Sequence, residues 1–378
     1  MESAAMDEQG KRTRIDFDLA KPSDDGPLRQ LLRSVHMDGI IRVSFRRESN
    51  YFAAHSCEGE FVQVMTARDR ETGQIVGMGS RSVRERFLSG VPINIGYLSG
   101  LRIHPNYRGG TMLARGYRFL RELDRDERAD FYITTIAVGN RPATESLLGG
   151  RGGLPFYKKI GRLNTWIVPR RKRAFKPNGL EIRPIGPSEI GELMKFLESV
   201  SRERDLLPRY VERDFLFPSS IFAGMRQGQL QGMWVGDALV GSLGVWDQRS
   251  MKQVVVEAYD EWLRWLRPFH NIMAGLLGLV RFPQPGQCLP LVTAALPLAV
   301  GPGVDRFGDL IDWAASQVPD DRDAIMIGLS ETDPLNNAVR RRAIQKYQTD
   351  IFAVSWDLDR LKATEPSDRI LYLELGAL

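Results

Sequence analysis

A chain of 378 residues is long enough for two ordinary domains, each able to bury its own core. Its 43% hydrophobic and 26% charged residues exclude a disordered protein, and two cysteines, Cys57 and Cys288, exclude a disulfide-stapled scaffold. The net charge of +5 and pI of about 9.2 suit a polyanionic ligand without choosing among a coenzyme, a nucleic acid and an acidic surface.

The first residues, MESAAMDEQGKRTR, have no apolar run of the kind a secretory signal carries, and positions 1–11 are expected to be disordered. From Phe17 to Val35 the pattern reads strand, proline turn, amphipathic helix. Gly73 to Glu85 reads as a hairpin turn entering a strand. The next segment, IGYLSGLRIHPNYRGGTMLARGYRFLREL, changes period within itself. Ile93, Ile95, Tyr97, Leu101 and Ile103 share one strand parity, whereas Met112, Leu113, Gly116, Phe119, Leu120 and Leu123 follow helical spacing. The switch falls at Arg108-Gly109-Gly110. Backbone N–H groups of Gly109, Gly110, Thr111 and Met112 at the start of a helix, with Arg108 beside them, form a cradle for a pyrophosphate. Phe131 to Val138 reads as the following strand, and Asn140 opens the next helix.

These residues resemble the acetyl-CoA pyrophosphate loop of the GNAT acetyltransferases, Arg/Gln-x-x-Gly-x-Gly/Ala. Arg108 is in register, while Thr111 and Leu113 stand where the family has its glycines. Asn140 and Ala143 match the family's Asn-x-x-Ala helix start. LPFYKKIGR, Leu154 to Arg162, is similar to its Tyr-x-Lys-x-Gly-Phe ending, with Tyr157 at the tyrosine position, Arg162 in place of phenylalanine and an inserted Gly-rich turn ahead of it. The resemblance implies a mixed α/β sheet and transfer of an acetyl group from acetyl-CoA to an amine by direct attack on the thioester. Arg108, Gly109, Gly110, Thr111 and Met112 would hold the pyrophosphate, the strand edge at Leu101 and Ile103 the pantetheine arm, and Asn140 the pantetheine or a water. Tyr157 would protonate the departing sulfur. The base stays open among Tyr97, Ser99, Glu58 and a water chain. The departures at Thr111 and Leu113 leave a second reading, a non-catalytic acyl-CoA-binding protein.

The second half echoes the first. Leu180 to Val200 repeats Phe17 to Val35, Asp237 to Arg249 repeats Gly73 to Glu85, Ala324 to Arg341 repeats Tyr132 to Leu148, and IQKYQTDIFAVSW repeats YKKIGRLNTWIVP. A period of about half the chain means two tandem GNAT-like domains, each a twisted mixed sheet with helices on both faces. Their expected bounds are 12–169 and 180–378, joined by a basic linker, 170–179. In the second copy the cradle reads AVGPGVDRFGDL, where Pro302 removes a donor and Asp305 repels an anion, and Ala343 to Lys346 offer no hydroxyl. That copy is expected to be degenerate and to shape the acceptor groove. Its insertion, YDEWLRWLRPFHNIMAGLLGLVRFPQPG, places Trp262, Trp265, Leu266 and Phe269 at helical spacing, the pattern of a buried face.

The linker run Arg170 to Arg173 has no interleaved aromatics, so nucleic acid is not the expected partner. The longest apolar tract, LPLVTAALPLAVGPG, is too short to span a bilayer and is broken by prolines. The four histidines, His36, His55, His104 and His270, are not at ligand spacing, so no metal is expected, and no Gly-x-Ser-x-Gly elbow is present. The sequence therefore reads as a soluble, reduced, cytoplasmic protein with no membrane partner.

Overall fold

The computed structural model describes residues 14–37, 39–149, 153–172, 181–277, 279–362, 364 and 368–378. The expected disordered N-terminus, Arg173 with the rest of the linker and the centre of the Gly-rich turn lie outside them.

In the first half β1 (Ile15–Leu19) leads to α1 (Asp25–Ser34), β2 (Ile41–Arg46), the short α2 (His55–Glu58), β3 (Phe61–Asp69), β4 (Ile75–Leu88) and β5 (Val91–Ile103). It continues through α3 (Met112–Leu123), β6 (Phe131–Ala137), α4 (Arg141–Leu148) and β7 (Phe156–Pro169). The second half opens with β8 (Glu181–Pro184), α5 (Ile190–Ser201), β9 (Arg204–Asp205), β10 (Leu230–Val235), β11 (Ala238–Trp246), β12 (Gln253–Tyr259) and α6 (Glu261–Leu277). It ends with β13 (Leu291–Ala299), α7 (Pro302–Gln317), β14 (Ala324–Ser330), α8 (Asn336–Arg340), β15 (Gln345–Ser355), α9 (Leu358–Lys362) and β16 (Ile370–Leu371).

Local chemistry accounts for the long meander. β4 turns into β5 through Ser89 and Gly90, both at positive φ (52° and 78°), which matches the right-handed twist of the strands they join. The two faces of the meander are then covered separately. Leu28, Leu31 and Leu32 of α1 pack with Val64 and Met78, whereas Tyr117 and Leu120 of α3 pack with Val83, Leu98, Tyr132 and Ile136 on the other parity. The second half repeats the arrangement, α5 placing Leu193, Phe196 and Leu197 against Leu230 and Trp234, and α7 placing Phe307, Leu310 and Ile311 against Met233, Val240 and Leu243. Alternate residues of β10 therefore serve opposite cores.

The expected mixed α/β architecture is present, with one feature that the repeats do not display. A single 12-stranded sheet runs through both halves in the order β1-β3-β4-β5-β6-β15-β7-β14-β13-β11-β10-β8. The last strand of each half has been exchanged. β15 pairs antiparallel with β6 from Thr349↔Ala137 to Val354↔Tyr132, and β7 pairs antiparallel with β14 from Ala324↔Pro169 to Ser330↔Leu163. β7 and β15 also pair with each other from Gln345↔Ile167 to Ser355↔Phe156. Ile351, Ala353, Val354 and Leu163 at this seam are buried. A second, two-stranded ribbon joins β2 of the first half to β12 of the second.

The aromatic stripe of α6 does not form the expected buried face: Trp262, Trp265, Leu266 and Phe269 are exposed, and the helix packs through Leu263 and Ala274 instead. The surface beneath it is the narrow β2–β12 ribbon, which offers only Ile41, Val256 and Tyr259 with Phe282 and Leu289 alongside. That patch is too small to cover the stripe.

Because β15 fills the place between β6 and β7, residues 1–179 expressed alone should remain largely unfolded or aggregate, and co-expression with 180–378 should restore a soluble complex. Circular dichroism and size-exclusion chromatography of the fragments check this; a well-folded monomeric 1–179 would contradict it.

Candidate functional site

β5 and β6 run parallel, but they pair only at Ile95↔Phe131, Gly96↔Tyr132 and Tyr97↔Ile133. Beyond Tyr97 they part. The parting is built into β5, whose pairing with β4 slips between Met78↔Arg102 and Ser80↔Ser99 at a bulge containing Gly100 (φ 64°). With its neighbour gone, the Leu98 carbonyl accepts a hydrogen bond from the Thr134 hydroxyl across the gap at 2.8 Å. The gap opens into a cavity of about 700 Å³. Leu101 and Ile103 line it, as do Asn140 and Ala143 at the start of α4 and Leu113, Tyr117 and Leu120 along α3.

The loop that closes one end is anchored from below. Tyr107 donates its hydroxyl to Asp69 at 2.5 Å, and Arg14 binds the same carboxylate, holding it well below the usual carboxylate range. His104 accepts from the Asn106 N–H at 3.3 Å and caps the turn, a structural task. Gly109 and Gly110 then adopt positive φ (85° and 60°), a conformation open to glycine, and nothing stands within 4 Å of where their side chains would be. α3 begins at Met112, whose side chain occupies the space a Cβ on Gly77 would need, at 2.4 Å, so the helix start sits hard against β4. Among the described residues nothing accepts from the backbone N–H groups of Gly109, Gly110 or Thr111. Arg108 is exposed beside them, its Nε donating to the Ile103 carbonyl at 3.2 Å. Thr111 makes no side-chain cap, and Leu113 turns into the cavity.

Asn140 caps α4 by accepting from the Ala143 N–H at 3.2 Å, the arrangement its spacing implied. Tyr157 is placed differently from the residues above: it does not line the cavity but lies behind it, packed on Phe352, with its hydroxyl 2.5 Å from that of Tyr117. Tyr117 does face the cavity. Burial pushes the Tyr117 hydroxyl up to about 12 and Tyr157 well above the ordinary phenol range, so both keep their protons at neutral pH. Tyr117 shares its α3 face with Leu113 and Leu120, a spacing from which it could have been found.

The opposite wall mixes the two halves. Tyr97 bonds the Thr135 hydroxyl at 3.0 Å, and Ser99 that of Ser80 at 3.1 Å; Tyr97, Thr135 and Ser99 reach the cavity. Glu58 is buried behind this wall in contact with Arg47 and Lys252. Burial pushes its carboxyl up, but Arg47, then Lys252 and His55, outweigh that and hold it below its ordinary value. Burial also keeps His55 neutral, its value lowered to about 4. Lys252 donates to the carbonyls of Gly376 (3.1 Å) and Leu378 (2.8 Å), drawing residues 375–378 against the cavity, where Leu375 and Leu378 line it. The charged side chains in the lining are Arg46, Arg47, Arg102, Arg249 and Lys252, with no carboxylate among them. No local signal marks Lys252 or the tail in the sequence, because they reach the cavity only through the joined halves.

No protein-family model and no curated protein matches the sequence. Solved structures do. Saccharomyces cerevisiae N-myristoyltransferase with bound myristoyl-CoA superposes with a TM-score of 0.59 at 10% identity, over 90% of this chain and 83% of that one. A GCN5-related glucosamine N-acetyltransferase region of a fungal multi-domain GH3 beta-N-acetylglucosaminidase gives 0.58 at 11% identity, over 90% of this chain and 38% of that one. A probable N-acyltransferase of Enterococcus faecalis gives 0.50 at 6% identity, over 92% and 74%. The chain shares its fold with these acyltransferase structures.

The second half builds the same splay and then fills it. β13 and β14 run parallel only from Leu291↔Ala324 to Thr293↔Met326, and the β11–β13 register slips between Ser242 and Gly244 at Leu296, which holds a positive φ of 48° where the first half has Gly100. The Leu296 N–H is taken, however, donating at 3.0 Å to Glu374, whose carboxyl also accepts from the Tyr372 hydroxyl at 2.7 Å. At the head of α7, a Cβ on Gly303 would fall 2.1 Å from the Val240 carbonyl, so the helix start is pressed onto β11. Burial raises the Glu374 carboxyl. A raised folded value means that its contribution is present when it is protonated and is lost as pH rises through that value. Glu374→Ala should therefore cost about 1–3 kcal/mol under mildly acidic conditions. Denaturant melts of wild type and Glu374→Gln from acid to neutral pH should show the difference moving in favour of Gln as pH rises; a pH-independent difference would contradict the assignment.

Proposed function

We propose that the protein is an acyl-CoA-dependent N-acyltransferase whose working site is the first-half splay. The observation that carries this reading is the continuity of one cavity with the parted β5–β6 edge, while the unpaired N–H groups of Gly109, Gly110 and Thr111 lie at the head of the cavity-lining helix α3. A pyrophosphate would lie on those amides and that of Met112 with Arg108 beside it, and the pantetheine arm would take the place of the missing strand along Leu101 and Ile103, with Asn140 at its side. The named relatives carry myristoyl-CoA in one case and are N-acetyl- or N-acyltransferases in the others, which supports the same class.

In the transfer, the neutral amine nitrogen forms a bond to the thioester carbonyl carbon, and charge develops on the carbonyl oxygen. Backbone N–H groups at the Gly100 bulge are suited to receive it. The C–S bond then breaks, the sulfur takes a proton and the amine gives one up. We assign the acid to the Tyr117–Tyr157 pair, Tyr117 presenting the proton and Tyr157 supporting it from behind. Glu58 is committed to Arg47 and Lys252, which leaves Tyr97, Ser99 or a water chain to accept the amine proton. The second half, with Glu374 in its splay, is read as the degenerate copy that supplies the far wall.

The lining also bears on both substrates. Leu113, Leu120, Ile136 and Leu147 form an apolar wall that an acetyl group would leave uncovered, which favours a longer acyl chain over the acetyl donor that the motifs imply. Four of the five lining cations are already paired with carboxylates behind the wall, Arg46 with Glu257, Arg47 and Lys252 with Glu58 and Arg249 with Asp247, so among the described residues Arg102 is left to favour an acceptor amine that carries an anionic group.

Calorimetry with a graded series of acyl-CoAs tests the donor. Each added methylene should tighten binding by up to about 0.8 kcal/mol until the wall is covered, and a flat series would restore acetyl-CoA. Arg108→Ala should weaken CoA binding by about 1.5–3 kcal/mol. Tyr117→Phe and Tyr157→Phe should leave acyl-CoA affinity nearly intact and lower kcat by roughly 100-fold to 10,000-fold with an active amine. Acyl-CoA binding with no thiol release across a broad amine library would favour the binding-protein reading.

A further inference from the structure

α6 is packed inside out. It meets the body through Leu263 and Ala274 and through polar contacts: Asn271 bonds both the carbonyl and the N–H of Phe282 (2.9 and 2.8 Å), Arg267 reaches the same carbonyl at 3.4 Å, and His270 stacks on the Phe282 ring at 4.2 Å. Its opposite face carries Trp262 (55% exposed), Trp265 (77%), Leu266 (51%), Phe269 (66%) and Ile272 (65%). The stripe extends past the helix, because the Asp260 N–H binds the carbonyl of Ile40 at 3.0 Å and so brings Ile40, 55% exposed, beside the N-terminal turn. Exposed apolar side chains scattered singly need no partner, but this many on one helix face do.

We propose that this face docks on a lipid bilayer, with α6 lying in the interfacial plane. Two observations on this stripe favour a bilayer over a protein. Its composition, two tryptophans and a phenylalanine among aliphatics with Arg264 exposed at its flank, is that of interfacial helices. The chain as a whole is positive, +5, which suits an anionic leaflet. The helix does not span: among the described residues no helix is long and apolar enough to cross a membrane.

The placement has a use. α6 follows directly on the β2–β12 ribbon, and that ribbon contributes Val43, Phe45 and Val254 to the cavity lining. A bilayer touching α6 would lie next to the ribbon wall of the cavity, where Val43, Phe45 and Val254 could meet a substrate or product with a hydrocarbon chain. The docking itself stands whether or not the protein transfers acyl groups.

Co-sedimentation of the full chain with phosphatidylcholine vesicles, with and without phosphatidylglycerol, tests the surface alongside sedimentation velocity without lipid. The wild type should bind both vesicles, more tightly with phosphatidylglycerol, and the double variant Trp265→Glu/Phe269→Glu should lose at least ten-fold in partitioning while its circular dichroism is unchanged. If that variant fails to fold, quenching of wild-type tryptophan fluorescence by brominated lipid gives the same answer. A wild type that stays in the supernatant without quenching, a folded double variant that sediments as before, or a concentration-dependent dimer that the variant abolishes in the absence of vesicle binding would overturn the proposal.

Discussion

A strand that leaves its neighbour must find other partners for its backbone, and the architecture of this molecule turns on that requirement being met twice. After Tyr97 and after Thr293 a parallel pair comes apart, forced by a bulge whose central residue has positive φ. Each parting exposes N–H and C=O groups that cannot remain buried and unpaired. In the first half Thr134 satisfies one carbonyl and the rest borders open space; in the second, Glu374 arrives from the tail and takes the N–H. One geometry thus yields a receptive cleft in one place and a closed one in the other. In the second half two features close the gap, Glu374 brought in from residues 372–378 and the head of α7 pressed onto β11.

The same tail ties the two outcomes together. From Glu374 the chain passes to Gly376, whose carbonyl receives both Gln248 and Lys252, and to Leu378, which borders the first cavity. Lys252 in turn meets Glu58, and Glu58 meets Arg47. A buried cation and a buried anion are tolerable only as partners, so the ends of this series constrain one another. The cavity's far wall is therefore made of groups whose positions depend on the second half being filled.

The sequence made some of this legible. The period switch at Arg108-Gly109-Gly110 located the strand end and the start of α3, and Asn140 with Ala143 located the cap of α4, because turn and cap chemistry is written locally. The halves repeated strongly enough to show their elements in order. What could not be read was everything decided by the third dimension. Repeats show that two sheets have matching strands, but not that β7 and β15 trade places. Motif spacing brought Tyr157 near the cavity, but not that Tyr117 stands in front of it. The stripe on α6 follows the spacing of a core face, and only the narrow ribbon beneath it turns that face outward.

The exchange of final strands also sets an order of events during synthesis. β6 and β7 of the first half cannot be joined to their shared neighbour until the ribosome has reached Ser355, at the end of β15. At ordinary elongation rates that delay is roughly 10 to 40 s. Throughout it, the inner edge of β6 and the apolar residues of β7 have no permanent cover, the condition under which unpaired strands attract other chains.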